Sequence, residues 1–112
     1  MTIIELQAKV DAWIKEVGVR YFNEQTNALI LGEEVGELFR LIARKYGEQS
    51  FKDPEELEQV DENIKDELAD IMFVLICLAN QMNIDMESAI EKNLIKKSVR
   101  DQERHKNNPK LS

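Results

Sequence analysis

Two pairs of acidic residues, each spaced by about one helical turn, lie inside apolar stretches of this sequence. The first pair is Glu34 and Glu37, in the segment Glu-Glu-Val-Gly-Glu-Leu. The second pair is Glu67 and Asp70, in the segment Asp-Glu-Leu-Ala-Asp-Ile. Residues three positions apart lie on the same side of an α-helix. The chain is therefore predicted to fold into helices that carry carboxylates towards an apolar interior.

The helical pattern around the first pair places one carboxylate on the apolar side. At 100° per residue, Glu34 falls within the sector bounded by Leu38 and Leu41. Glu37 lies at the edge of that sector, and Glu33 falls on the opposite side. An apolar sector of this kind faces a protein core, so we expect Glu34 to be partly buried.

The second pair leads directly into residues 71–79, which are apolar on every side of a helix. Such a helix is buried in a bundle or at a subunit contact. Glu67 and Asp70 share helical sides with Val74 and Cys77, so they are expected near a low-dielectric interior. Carboxylates in such places must be paired, neutralised or bound to metal. Oxygen ligands suit Mg²⁺, with Mn²⁺ as a substitute.

Composition limits the classes of protein to consider. The 112 residues suffice for one domain, and 43% apolar with 33% charged residues indicates a soluble globular protein. A net charge of −7 argues against binding of a nucleic-acid polymer. The longest apolar run has nine residues, too short to cross a membrane. One cysteine, Cys77, and an N-terminus without signal-peptide features lead us to expect a cytoplasmic protein.

Apolar periodicity and capping residues predict an all-α structure. Thr2 and Glu5 form a plausible capping box at the start of the first helix, and Gly18 follows its end. Four helices are predicted over residues 2–17, from residue 23 or 26 to 46, 61–82 and 85–104.

The acidic stretch 48–63 is predicted to be mainly a solvated loop. Asp53 and Pro54 nevertheless have the signature of an N-cap and first helical position, which allows one short helix there. We assign residues 1–106 to a single helical domain and residues 107–112 to a disordered tail.

A stripe of basic residues recurs every four positions on the fourth helix, at Lys92, Lys96, Arg100 and Arg104, with Asn93 close to the same sector. A solvated face is the common explanation of such a stripe. Four inward carboxylates elsewhere in the chain favour a second interpretation. Metal held by acids and phosphates held by Lys and Arg would form a two-part site for phosphoryl chemistry.

In this combination the sequence resembles the all-α nucleoside triphosphate pyrophosphohydrolases of the MazG type. That family is marked by Glu-x-x-Glu on one helix and Glu-x-x-Asp on the next, and here Gly36 and the run Asp-Ile-Met-Phe-Val-Leu provide matching context. The resemblance covers about residues 5–104. It implies a four- to five-helix MazG-like bundle whose subunits pack into a larger helical bundle, as a homodimer or a homotetramer built as a dimer of dimers.

The resemblance also implies a reaction. A (deoxy)nucleoside triphosphate would be hydrolysed between its α- and β-phosphates to nucleoside monophosphate and pyrophosphate, with Mg²⁺ as cofactor. The resemblance implies a house-cleaning role in the nucleotide pool for such an enzyme. The catalytic residues, which are also the metal ligands, would be Glu34, Glu37, Glu67 and Asp70. The phosphate-binding residues would be Lys96 and Arg100, with Lys92 and Asn93 as weaker candidates. One of the ligands, or Glu33, would orient the attacking water.

Three aromatic residues are candidates for stacking on the base: Trp13, Tyr21 and Phe22. Core packing is the competing interpretation for all three. For Trp13 it is the preferred one, because this residue falls on the apolar stripe of the first helix.

Three other functions compete with this one. A phosphoribosyl-ATP pyrophosphohydrolase resembles this family in fold and chemistry. A di-iron helical bundle normally needs Glu-x-x-His motifs, and the only histidine, His105, follows no such spacing. A non-enzymatic helical adaptor would explain the apolar run as a partner contact but leaves the inward acids unexplained.

Overall fold

The computed structural model describes residues 1–111 and contains four α-helices. They are α1 (Ile3–Trp13), α2 (Glu24–Tyr46), α3 (Pro54–Gln81) and α4 (Met86–Lys106). A π-helical turn, Ile14–Gly18, continues α1, and a 3₁₀ turn, Pro109–Leu111, follows α4. No strand occurs within residues 1–111, so the all-α prediction is confirmed.

Side chains cap the helices where the sequence predicted helix starts. Thr2 accepts a hydrogen bond from the Glu5 backbone N–H at 3.0 Å, and the Glu5 carboxylate accepts one from the Thr2 N–H at 3.3 Å. Asn23 caps α2, and Asp85 caps α4. These bonds satisfy backbone donors that have no partner within the helix.

The prediction of a solvated loop is wrong from residue 54 onwards, because α3 begins at Pro54. The Asp53 carboxylate accepts a hydrogen bond from the Glu55 N–H at 3.0 Å. Proline is tolerated at the first helical position, where its missing N–H would have no partner. The capping signal at Asp53 and Pro54 therefore marks the start of a long helix, and not of a short separate one.

Contacts with α2 explain why this acidic segment is helical. Val60 is buried, and Glu56 accepts a hydrogen bond from Arg40 of α2 at 3.1 Å. Lys45 of α2 forms an ion pair with Asp61. These partners lie about 16 positions away in the sequence, so a local pattern did not reveal them.

The helices α2 and α3 form the main antiparallel pair of the fold. Asn27 contacts Gln81 at one end of the pair, and Arg40 contacts Glu56 towards the other. The first helix packs against α3. Their shared buried core consists of Val10, Ile14, Ile76 and Cys77.

The apolar run of α3 keeps one side exposed within this chain. Val74 and Ile76 are buried, whereas Met72 and Leu75 are 46% and 40% exposed. A helix with apolar residues on all sides is expected to be covered on all sides. The exposed side is therefore a candidate for the subunit contact that the sequence predicted.

The fourth helix turns away from α3 by 106°. It contacts α1 near its start, where Met86 packs on the core, and residues 89–100 are exposed throughout. No single helix in residues 1–111 is long and apolar enough to cross a membrane; α3 and α4 pass such a test only when joined across their bend. The division at residue 106 stays a prediction, and Ser112 lies outside the described residues.

Candidate active site

Three of the four predicted metal ligands come together where α2 and α3 cross. Glu34 of α2 and Glu67 and Asp70 of α3 each offer a carboxylate oxygen, and these oxygens lie within 4.8 Å of one another. Glu34 and Glu67 are half-buried, and Asp70 is more exposed. This arrangement follows from the three-residue spacing on α3 and from the antiparallel packing of α2.

The surroundings of this cluster stabilise its negative charges poorly. Burial, followed by a hydrogen bond with Glu34, raises the pKa of Glu67 to about 7. Burial, followed by the charges of Asp66 and Glu34, raises the pKa of Asp70. The Oε2 atom of Glu67 is buried without a hydrogen-bond partner among the described residues. Such an atom is costly, and a hard cation among three oxygen donors would satisfy it. The residues therefore fit a divalent metal ion.

Glu37, the fourth predicted ligand, lies beside this cluster and not within it. Its side chain is 55% exposed and accepts a hydrogen bond from Arg40 at 3.2 Å. Its charge contributes to the raised pKa of Glu67, so the two carboxylates are neighbours. Glu33 is exposed, as its position on the helix indicated. The assignments of Glu37 as a ligand and Glu33 as a water-orienting group stay predictions.

The basic stripe lies apart from the acidic cluster in the single chain. Lys92, Asn93, Lys96 and Arg100 all belong to the exposed part of α4. Arg100 instead makes two hydrogen bonds to its neighbour Asp101, at 2.7 and 2.8 Å. Within residues 1–111, no ion pair joins the stripe to the three clustered carboxylates. The phosphate-binding role of the stripe therefore stays a prediction.

A mostly apolar cavity of about 430 Å³ opens next to the acidic cluster. Glu34 and Asp70 form part of its wall, and all three aromatic candidates line it: Trp13, Tyr21 and Phe22. Trp13 is 49% exposed and packs edge-to-face on Phe73, with ring centroids 5.6 Å apart. The preference for core packing is therefore wrong for Trp13, because its ring forms a cavity wall.

Tyr21 fastens the segment between α1 and α2 to the rest of the fold. Its hydroxyl donates to Asp11 at 2.7 Å and accepts a hydrogen bond from Asn80 at 3.0 Å. Burial, together with the bond to Asp11, raises the pKa of Tyr21 to about 12. With both partners engaged, the hydroxyl holds this segment in place, and the residue lines the cavity.

A tight turn sets the path of this segment along the cavity. Val19 has φ 73° and ψ −55°, and the Arg20 N–H donates to the Gly18 carbonyl at 2.9 Å. This is a γ-turn, a strained conformation for a β-branched residue. Strain of this kind is often found at functional sites. The turn brings Phe22 and also Arg20 to the cavity wall, and the sequence pattern did not indicate Arg20.

Comparison with known proteins identifies the family of this chain. The sequence profile of the MazG nucleotide pyrophosphohydrolase domain matches residues 22–105, more than half of the chain. The chain belongs to the MazG family. The matched range contains the acidic cluster and the basic stripe, so the resemblance drawn from the motifs is confirmed. It begins at Phe22, so α1 and the cavity residues Trp13 and Arg20 lie outside it.

Relatives from Bacillus share both sequence and fold with this MazG-family chain. YpjD of Bacillus subtilis (strain 168) is 35% identical over 103 residues, which is 92% of this chain and 89% of YpjD. A crystal structure of Bacillus subtilis YpjD has a TM-score of 0.74 at 35% identity, covering 86% of this chain and 94% of that one. The crystal structure of the Bacillus-conserved MazG protein, a nucleotide pyrophosphohydrolase, has a TM-score of 0.73 at 35% identity, covering 92% and 96%. Family membership favours the enzymatic prediction over the helical adaptor and the di-iron bundle.

Proposed function

We propose that this MazG-family protein hydrolyses a nucleoside triphosphate between the α- and β-phosphates, releasing a nucleoside monophosphate and pyrophosphate. Mg²⁺ is the proposed cofactor, with Mn²⁺ as a substitute, held by Glu34, Glu67 and Asp70 with Glu37 as a candidate fourth ligand. The buried, unpartnered Oε2 of Glu67 is the observation that carries this proposal. A role in cleaning the nucleotide pool, in the cytoplasm, belongs to the same proposal.

Two neighbouring surfaces suit different parts of the substrate. The apolar cavity, with its aromatic walls, suits the nucleoside, while the carboxylates at its edge suit the metal-bound triphosphate. A bound Mg²⁺ would neutralise phosphate charge and lower the pKa of an attacking water. Burial, followed by the interaction with Glu34, raises the pKa of Glu67, and a bound cation would favour its ionised form. Glu37 is oriented by Arg40 at the rim of this site.

A homodimer or homotetramer is part of the proposal. Large exposed apolar patches mark protein contacts, and exposed apolar side chains occur on α3 at Met72 and Leu75 and on α4 at Leu94, Ile95 and Val99. Covering these faces with a second copy would also give Lys96 and Arg100 a route to the phosphates. Within residues 1–111 no ion pair joins these two residues to the clustered carboxylates, and α4 turns away from α3 by 106°.

The experiment that tests the function is a nucleotide panel with Mg²⁺, scored separately for pyrophosphate and orthophosphate. The panel contains the standard ribo- and deoxynucleoside triphosphates, dUTP, damaged nucleotides and phosphoribosyl-ATP. We expect pyrophosphate from at least one substrate and none in EDTA. Orthophosphate as the sole inorganic product would contradict the proposed bond cleavage.

A further inference from the structure

The cavity contains one buried polar side chain, Asn27, in the first turns of α2. It is 6% exposed, and it is the one polar residue among the buried residues of the described chain. It lines the same cavity as Trp13 and Phe22. A buried amide among apolar walls is costly unless its hydrogen-bonding groups are used, so each of its polar atoms requires a partner.

A hydrogen-bond relay fixes which way the Asn27 amide points. The Phe22 carbonyl can only accept, so the Gln81 side chain must present its Nε2–H₂ group to it. Gln81 Oε1 is then the acceptor for Asn27 Nδ2, at 2.8 Å. The same Nδ2 group donates to the Phe22 carbonyl at 3.4 Å. Both Asn27 N–H groups are directed to protein partners, which leaves Oδ1 as the remaining group.

The Oδ1 atom of Asn27 is an acceptor without a partner among residues 1–111. Glu67 Oε2 is the one side-chain atom in that range that is both fully enclosed and unpartnered. Asn27 Oδ1 is therefore not fully enclosed, and its residue lines the cavity. A ligand in the cavity is consequently offered an acceptor and not a donor at this position.

Building on the proposed function, we infer that Asn27 determines base specificity by accepting a hydrogen bond from an N–H group on the edge of the nucleobase. The base lies between the aromatic walls, with its triphosphate towards Glu34 and Asp70. Gln81 is a positioning residue, because it prevents the Asn27 amide from rotating to present N–H instead. A site built around a hydrogen bond discriminates strongly against analogues that lack the group, because the buried acceptor is then left unpaired.

The test compares each nucleotide with an analogue that lacks the relevant N–H group. Suitable pairs are CTP with the triphosphate of pyrimidin-2-one riboside, ATP with that of purine riboside, and UTP with its N3-methyl derivative. For the preferred base, we expect wild-type kcat/KM to fall about tenfold or more in the analogue. Asn27→Leu, which has the same number of side-chain heavy atoms and no acceptor, should reduce that ratio to near one. Gln81→Leu should reduce it partly, with turnover of the analogue retained.

The matched control is Gln25→Leu, the same change at an exposed position two residues away. It should leave the ratio at the wild-type value. Should Asn27→Leu fail to fold, wild-type protein decides the question by calorimetric binding of the corresponding monophosphates in EDTA. Equal binding or turnover of parent and analogue for every base overturns the inference, as does an equal loss on parent and analogue in Asn27→Leu. Discrimination in binding without any pyrophosphate release would leave the inference standing and overturn the proposed function.

Discussion

The acidic cluster and the basic stripe have similar periodic signatures in the sequence but opposite surroundings in the fold. The carboxylates Glu34 and Glu67 are half-buried where two helices cross, and the interaction with Glu34 contributes to the raised pKa of Glu67. The cations Lys96 and Arg100 are exposed, and Arg100 is paired with its own neighbour. Periodicity indicates which residues share a helical side. It does not indicate whether that side meets another helix of the same chain, a second subunit or solvent.

The largest predicted effect concerns the cluster. Glu67→Gln should reduce pyrophosphate release at least about a hundredfold, because an amide is a poor Mg²⁺ ligand and a bound metal contributes several kcal/mol to such a reaction. In EDTA at pH 8 the variant should melt at or above the wild-type temperature, because one charge has left a crowded site. A large drop in that melting temperature would make Glu67 a structural residue.

The next effect concerns the stripe. Lys96→Ala or Arg100→Ala should lower kcat/KM roughly ten- to a hundredfold if these cations bind phosphates, while the helix is retained because Ala favours helix. The melting temperature serves as the control for folding. Unchanged kcat/KM in both variants would identify the stripe as a solvated face.

Mixing of variant subunits tests whether the stripe and the cluster of one site come from different copies of the chain. If the stripe of one copy serves the cluster of another, the impaired Glu67→Gln and Arg100→Ala proteins should together regain activity when they are unfolded and refolded as a mixture. Each mixed dimer would then contain one site with both parts intact. Activity that stays at the level of the separate variants, or a wild-type protein that sediments as a monomer, would contradict a site shared between subunits.

A smaller effect is the dependence of stability on pH in the metal-free protein. Glu67 has a pKa of about 7 when folded and 4.5 as its ordinary value, so the folded state binds more protons between these values. The contribution of Glu67 to the free energy of unfolding should therefore be greatest below about pH 4.5. It should fall by roughly 1–3 kcal/mol as the pH rises through 7. Urea unfolding in EDTA at pH 5 and pH 7.5 measures it. Glu67→Gln should lack most of this change, and Mg²⁺ should reverse it in the wild type because binding needs the ionised carboxylates.

The parts of the fold that were predicted from sequence depend on local interactions. The capping residues Thr2 and Asp85 and the acidic spacing at Glu67 and Asp70 act within one or two turns, so their patterns can be identified in the sequence. The start of α3 at Pro54 was misjudged because its stabilising partners lie on α2.

Other features depend on contacts between distant parts of the chain. The orientation of Asn27 depends on Gln81, 54 positions away. Trp13 has the sequence pattern of a core residue but lies at the wall of the cavity, because Val10 and Ile14 already fill the core on that side of α1. Such positions depend on how helices pack, which helical periodicity does not determine.

The smallest predicted effect compares the two arginines that pair with acids near these regions. Arg40 bridges Glu37 on its own helix and Glu56 on α3, so Arg40→Ala loses a contact between helices. Partly exposed pairs contribute little, and we expect a loss of roughly 0.5–1 kcal/mol of unfolding free energy. Arg100 pairs only with acids of α4, so Asp101→Asn should produce no measurable change in melting temperature. It should also leave Arg100 freer to bind phosphate, so kcat/KM should hold or rise. A marked fall in kcat/KM for Asp101→Asn would mean that the ion pair positions Arg100 for its substrate. The stripe, like the cluster, would then depend on neighbouring side chains for its function.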